Sequence, residues 1–277
     1  MKIQYLGTGA SEAVPALFCD CGVCQRSRQA GGRNIRSRSQ TLIDDTLLID
    51  FPADTYLHVL RDGLPLSKIH TCIITHNHSD HLYAEDLVMR RSPYAELNDE
   101  TPLNVYGTSP SGRDVLQVQK DYNQPFQQEC VIFNPIAPFV PFEAEGYIIT
   151  ALKADHDPYC DPVFYLIEKG GKRLLYANDT GMFPNETWAY LTQTGVRFDF
   201  VSLDCTMFHV PCEHGHLGLA AAAQVRQRLI DTGLADGKTV FYLNHFSHNG
   251  GATHDDMVAP AGEQGFFVAY DGLTVEF

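Results

Sequence analysis

Seven consecutive residues, Thr75-His76-Asn77-His78-Ser79-Asp80-His81, follow directly on the apolar stretch Cys72-Ile73-Ile74. The apolar stretch predicts a buried strand, and the polar run predicts a loop at its end. Three histidines and an aspartate between positions 76 and 81 pack poorly as a core. They suit a divalent cation well, because imidazole and carboxylate are the groups that zinc, manganese or iron select. Residues two apart in extended chain point the same way, so His76 and His78 can share one ion. The chain is then expected to turn into a helix from Asp80 to Arg91, with Leu82, Leu87 and Val88 as its apolar contacts. Such a turn aims Asp80 and His81 at a second position beside the first. The alternative is a polar loop of solvated histidines.

A chain of 277 residues with 44% hydrophobic content can bury a sizeable core. No segment approaches the roughly 18 consecutive apolar residues of a membrane span. Met1 to Gly7 has one basic residue and no long apolar run, which argues against a signal peptide and for a soluble, cytoplasmic protein without a membrane partner. Lysine and arginine number 20 against 34 aspartates and glutamates, a formal charge of −14. Extended nucleic acid is therefore disfavoured as a partner, since its binding relies on cations meeting phosphates. Bound divalent cations would reverse the sign locally, which leaves a small anionic substrate open. A homodimer is likewise left open.

Eight cysteines are present. Five are scattered and read as small buried hydrophobes, whereas Cys19, Cys21 and Cys24 lie within six residues around Gly22, with the compactness of a zinc knuckle. Three thiols leave a structural site one ligand short. Most of the arginines that follow, Arg26, Arg28, Arg33, Arg36 and Arg38, read as a solvated surface loop.

Beyond the histidine run, strand and helix patterns alternate. Five apolar strands are expected to end in a ligand or a ligand's support: Asp50, His76, His156, Asp179 and His245. A further strand ends at Asp204, and His214-Gly215-His216 precedes the clearest helix, Leu217 to Ile230. In a layered α/β protein strand ends gather along one edge, where distant residues converge. Residues 123–146, rich in Pro, Gln and Phe, are the least readable.

Asp50, the H-x-H-x-D-H run from His76 to His81, His156, Asp179 and His245 together resemble the signature of the metallo-β-lactamase superfamily, over almost the whole chain. The resemblance implies an α/β fold of the αββα sandwich type with a dinuclear site at one sheet edge. It implies a single domain, 1–277, with a zinc-knuckle-like insertion near 19–24 and a divergent segment near 123–146. Within that superfamily the chain is similar to the PhnP-type phosphodiesterases of the carbon-phosphorus lyase pathway, on Cys19, Cys21 and Cys24 after the Gly7-Thr8-Gly9 turn and on His248 three residues after His245.

Carried over, that resemblance gives one ion His76, His78 and His156, the other Asp80, His81 and His245, and makes Asp179 the bridge. Two manganese or zinc ions, or iron, are implied, together with one structural zinc on Cys19, Cys21, Cys24 and His248. Asp50 takes the role of orienting the ligand loop. The implied reaction is hydrolysis of a small or cyclic phosphodiester by a hydroxide bridging the ions, with Asp80 and His216 as catalytic residues. His216 would stabilise charge or protonate the leaving alkoxide, and His214 is the alternative for that role. Two other functions stay open: a ribonuclease Z-like RNA-processing nuclease, and a PqqB-like metal-binding protein of cofactor biosynthesis.

Overall fold

The computed structural model describes residues 1–99, 101–122 and 130–277. Its strands, in chain order, are β1 (Lys2–Gly7), β2 (Gln40–Ile43), β3 (Leu47–Ile49), β4 (Thr71–Ile73), β5 (Leu103–Gly107), β6 (Val131–Pro135), β7 (Phe142–Ala144), β8 (Tyr147–Lys153), β9 (Val163–Lys169), β10 (Lys172–Ala177), β11 (Phe200–Asp204), β12 (Val240–Asn244), β13 (Phe267–Val268) and β14 (Leu273–Glu276). They form two sheets of seven, ordered β14-β1-β2-β3-β4-β5-β6 and β13-β12-β11-β10-β9-β8-β7. The helices are α1 (Gly22–Ala30), α2 (Thr55–Asp62), α3 (Ser109–Tyr122), α4 (Asn185–Thr194), α5 (Leu219–Asp231) and α6 (His254–Glu263). None of the described helices is long and apolar enough to cross a membrane.

Side-chain alternation explains the layering. In β3, Leu47 and Ile49 enter the core between the sheets, while Leu48 enters the core under α3. In β9, Tyr165 and Ile167 face the other sheet, while Phe164 and Leu166 join Trp188, Val225 and Met257 beneath α4, α5 and α6. Strands buried on both faces read as continuous apolar runs, and the result is the expected αββα sandwich. Polar ties cross the middle. Tyr165 donates to the Ile74 carbonyl at 2.6 Å, and the Tyr176 hydroxyl lies 3.0 Å from Thr41 Oγ1 and accepts from Asn178 Nδ2 at 2.8 Å.

Strands β3 to β6 are mutually parallel, as are β10 to β13. Their carboxyl ends therefore gather at one edge, the usual place for a site in such sheets.

Two expectations change, the second in part. In place of a helix from Asp80 to Arg91, the chain makes a turn and then a 3-10 stretch, Ala84–Met89. The Phe51 N–H bonds the His81 carbonyl and the Tyr83 N–H bonds the Phe51 carbonyl, both at 2.7 Å, so this segment's backbone is already committed to its neighbour. The arginine-rich stretch departs from expectation in part: Arg26, Arg28 and Arg33 are exposed, though the first two sit on α1 rather than in a loop, whereas Arg36 is buried, donating to Thr8 Oγ1 and the Ala269 carbonyl at 2.7 Å with its guanidinium over Phe246. Residues 130–146 supply β6 and β7, edge strands of the two sheets, while 123–129 lie outside the described residues.

Candidate metal centre

Asp50 follows β3 and the histidine run follows β4 in one sheet; His156, Asp179 and His245 follow β8, β10 and β12 in the other. Asp50 (φ 66°), Asp179 (φ 47°) and His245 (φ 62°) all occupy the left-handed region. Each such residue costs about 1–3 kcal/mol and persists where the surroundings hold it. The local reversal ends the strand and delivers the side chain to the edge.

Two groups of ligand atoms form there. His78 Nδ1 lies 3.0 Å from His76 Nε2 and 3.3 Å from His156 Nε2. Tetrahedral zinc at ~2.05 Å from each nitrogen would separate them by about 3.3 Å. Beside this triad stand Asp80, His81, Asp179 and His245, with ligand atoms all within 4.8 Å of one another. The Asp179 carboxylate adjoins both groups, since Oδ2 is 3.5 Å from His76 Nε2 and 2.5 Å from His81 Nε2.

Every histidine in these groups is anchored through its other nitrogen. His76 Nδ1 meets Thr75 Oγ1 (3.1 Å), His78 Nε2 meets Asp157 (3.2 Å) and His81 Nδ1 meets Asp50 (2.7 Å). His156 Nδ1 meets the Gly215 carbonyl (3.0 Å), and His245 Nδ1 meets Thr206 Oγ1 (2.9 Å). Such contacts fix the tautomer and aim the free nitrogen. Asp50 in turn accepts from the Thr75 N–H (2.8 Å) and hydroxyl (3.0 Å). Thr75, Asp157, Thr206 and the Gly215 carbonyl were not singled out from sequence. Asp157 had a signal, an acid adjoining His156; the threonines had none.

The electrostatics fit a cation. Asp50, Asp80, Asp179 and Asp204 are buried, and among the described residues their ionic partners are histidines alone. Buried carboxylates at this density require compensating positive charge. Burial opposes charge on His81 and His245, yet Asp179 and its neighbours outweigh it, raising His81 well above the imidazole range and His245 to about 10. Burial would raise Asp80 and Asp179, but the facing histidines hold both below the usual carboxylate range. Burial keeps His76 and His156 low. A divalent ion meets the same demand for positive charge by displacing protons. Asp179 Oδ1 is buried without a hydrogen-bond partner: His245 Nδ1 approaches to 2.9 Å, but outside hydrogen-bonding geometry.

His216 faces the same cavity, of about 450 Å³, which is also lined by His78, Asp80, His156 and Asp179. Its Nδ1 is 3.2 Å from Asp204, whose carboxylate also accepts from the Leu217 N–H (2.8 Å) and the Thr206 N–H (3.0 Å). Burial lowers the His216 imidazole, but Asp204 outweighs it and the net shift is upward. His214 is largely exposed and pairs with Asp155 at 3.1 Å, so His216 is the one that lines the cavity.

Cys19, Cys21, Cys24 and His248 also come together. His248 Nδ1 is 3.5 Å from Cys19 Sγ and 3.4 Å from Cys21 Sγ, and all four ligand atoms lie within 4.8 Å of one another. Tetrahedral zinc with thiolates at ~2.3 Å would set separations of about 3.5–3.8 Å. Cys21 caps α1, accepting from the Cys24 N–H, and that bond holds its thiol down at about 6; burial pushes the Cys24 thiol up to about 11. All eight cysteines are free, and Cys72, Cys160 and Cys205 are buried as small hydrophobes.

Residues 48–246 match the beta-lactamase superfamily domain. Ribonuclease Z of Listeria innocua is 30% identical over 161 residues, covering 56% of this chain and 46% of that protein, so the chain matches about half the length of such a relative. Among solved structures, a diphosphatase of the PhnP family superposes with a TM-score of 0.75 at 23% identity, covering 100% of this chain and 97% of that one. Zinc-bound PqqB from Methylobacterium extorquens gives 0.75 at 19%, covering 100% of both. At these identities the structures show a shared fold. The superfamily fold implies divalent metal ions, typically zinc, and the converging histidines and aspartates are where this chain could hold them. With a family match spanning more than half its length, the chain belongs to the metallo-β-lactamase superfamily.

Proposed function

We propose that this protein is a metal-dependent hydrolase, a phosphodiesterase acting on a small or cyclic phosphodiester. The observation that carries the reading is the Asp179 carboxylate shared between two ligand groups made of oxygen and nitrogen alone. Such donors suit two hard or borderline divalent ions, manganese, zinc or iron. His76, His78 and His156 would hold one, Asp80, His81 and His245 the other, with Asp179 between them. Ions there would supply Lewis-acid activation of water and charge neutralisation at the phosphoryl oxygens.

The chain's own groups supply the rest. Asp204 holds His216 through Nδ1. The Nε2 proton of a charged His216 is then the one available to a leaving alkoxide. Asp50, Thr75, Asp157 and Thr206 keep the ligand nitrogens aimed. Cys19, Cys21, Cys24 and His248 would hold a structural zinc that ties the loop before α1 to the segment after β12.

The test is reconstitution. Metal-free protein should regain hydrolysis of bis(p-nitrophenyl) phosphate with manganese or zinc, and Asp80→Ala should abolish it. Activity retained in that variant removes the mechanism, and a single bound iron without turnover favours a PqqB-like role. A second reading, a ribonuclease Z-like nuclease, is favoured by the identity to the Listeria enzyme. Against it weigh the −14 charge and a cavity to which, among the described residues, no lysine or arginine contributes. Cleavage of precursor tRNA at rates above those for small diesters would establish it.

A further inference from the structure

We infer that Glu12 is a specificity-determining residue of the cavity: it favours phosphoesters whose organic part offers hydroxyl or ammonium donors and disfavours those carrying a second phosphate. The inference rests on the phosphodiesterase reading and adds to it the chemistry of the organic part, which product-like monoesters also carry. Glu12 lines the same cavity as Asp80, His156 and His216. It sits in a turn closed by the Ala13 N–H on the Ala10 carbonyl at 2.8 Å, with Ala13 at φ 63°. An alanine in the left-handed region is a held conformation, so the position of Glu12 is fixed by its backbone.

Its carboxylate is fixed as well. Oε1 accepts from the Ser247 hydroxyl and lies 3.7 Å from His248 Nε2, while Oε2 accepts from Ser11 Oγ at 3.3 Å. The side chain is 28% exposed, which leaves it open to a ligand. Among the described residues lining the cavity, no lysine or arginine offsets it. Arg38 donates Nε to the Ser11 carbonyl at 2.8 Å but commits its guanidinium to Asp54 at 3.1 Å, and Arg36 is buried elsewhere. The other rim groups, Ser11, Ser79, Ser247 and Asn249, are neutral. A phosphate seated at the ligand groups would meet the divalent ions those groups hold, whereas a second phosphate farther out meets a carboxylate that, among the described lining residues, no lysine or arginine neutralises. Hydroxyl and ammonium groups donate to that carboxylate instead.

The test compares metal-loaded wild type, Glu12→Gln and Glu12→Asp, with bound zinc measured in each so that any disturbance of His248 is seen. Calorimetry reads binding of fructose 6-phosphate, fructose 1,6-bisphosphate and O-phosphoethanolamine. Wild type should bind the two monophosphates more tightly than the bisphosphate by roughly tenfold. Glu12→Gln should shift that ratio towards the bisphosphate by about the same factor, and Glu12→Asp, which keeps the charge, should retain the wild-type order. A ratio unchanged within about twofold in Glu12→Gln, a wild-type preference for the bisphosphate, or no binding of any of the three overturns the inference. Failure of the phosphodiesterase reading shows separately, as absent turnover of bis(p-nitrophenyl) phosphate whatever the binding ratios.

Discussion

Replacing Asp50 separates a supporting carboxylate from the ions it is thought to serve. In the native fold it receives the Thr75 N–H at 2.8 Å, the Thr75 hydroxyl at 3.0 Å and His81 Nδ1 at 2.7 Å, all buried. Asp50→Ala leaves at least the backbone N–H and the imidazole N–H without a partner, at about 1–3 kcal/mol each. An alanine at the left-handed φ of 66° adds roughly 1–2 kcal/mol. The expected loss is about 3–8 kcal/mol, a large part of the ~5–15 kcal/mol that holds a typical domain. Asp50→Asn is the sharper variant, because asparagine tolerates that backbone and its oxygen still accepts one donor while its NH2 faces the other. It should cost about 1–3 kcal/mol and weaken the ion beside His81 by ~10–100-fold. Urea unfolding in chelator reads the first quantity, and metal titration reads the second. An Asp50→Ala protein within about 1 kcal/mol of wild type would refute the reasoning. So would an Asp50→Asn protein with wild-type affinity for both ions.

Three further outcomes are expected. Burial, with Arg61 adding to it, pushes His58 down to about 3, so the folded protein keeps it neutral while the unfolded chain takes up a proton below about 6.5. Its contribution is complete above that pH and is lost as pH falls towards 3, at up to ~1.4 kcal/mol per pH unit; His58→Gln should flatten the acid limb of urea midpoints against pH, and parallel limbs would sink the idea. A Cβ at Gly181 would lie 2.3 Å from the Glu213 carbonyl and 2.7 Å from His214 Cα. Gly181→Ala should therefore displace the loop carrying His216 and reduce kcat well before it lowers Tm; unchanged kcat counts against the loop's role. Removing the acid in His216→Ala should slow alkyl esters by about 10²–10⁴-fold and p-nitrophenyl esters far less, since nitrophenolate leaves without a proton; equal losses on both would mean a different role for His216.

The site was legible in its ligands and illegible in its supports. His76, His78, Asp80 and His81 announce themselves because four ligand types crowd one loop, and His156, Asp179 and His245 because each ends an apolar strand. Thr75 and Thr206 gave no warning: a threonine hydroxyl bonds whatever lies near, and only the fold decides what that is. The same reason hid Arg36, whose partners on Thr8 and Ala269 are brought together by chain reversal rather than by local pattern. Periodicity located α5, expected over Leu217 to Ile230 and found over Leu219–Asp231, because packing on one face dictates it. It failed for Asp80 to Arg91, where an apolar spacing that suits a helix coexists with backbone bonds to Phe51 that forbid one.

The tyrosines between the sheets carry a consequence for how tightly ions can be held. Tyr165 and Tyr176 rise from one sheet to grip Ile74, at the start of the histidine loop, and Thr41 in the other. A phenol is a rigid spacer with two rotatable bonds, so the gap between the ligand-bearing edges is gauged by the length of a ring. The ligands contributed by the two sheets are thus spaced before any ion arrives, and its capture need not draw the sheets together. Preorganisation of this kind removes an ordering penalty from binding, which places part of the affinity of the edge in side chains buried behind it.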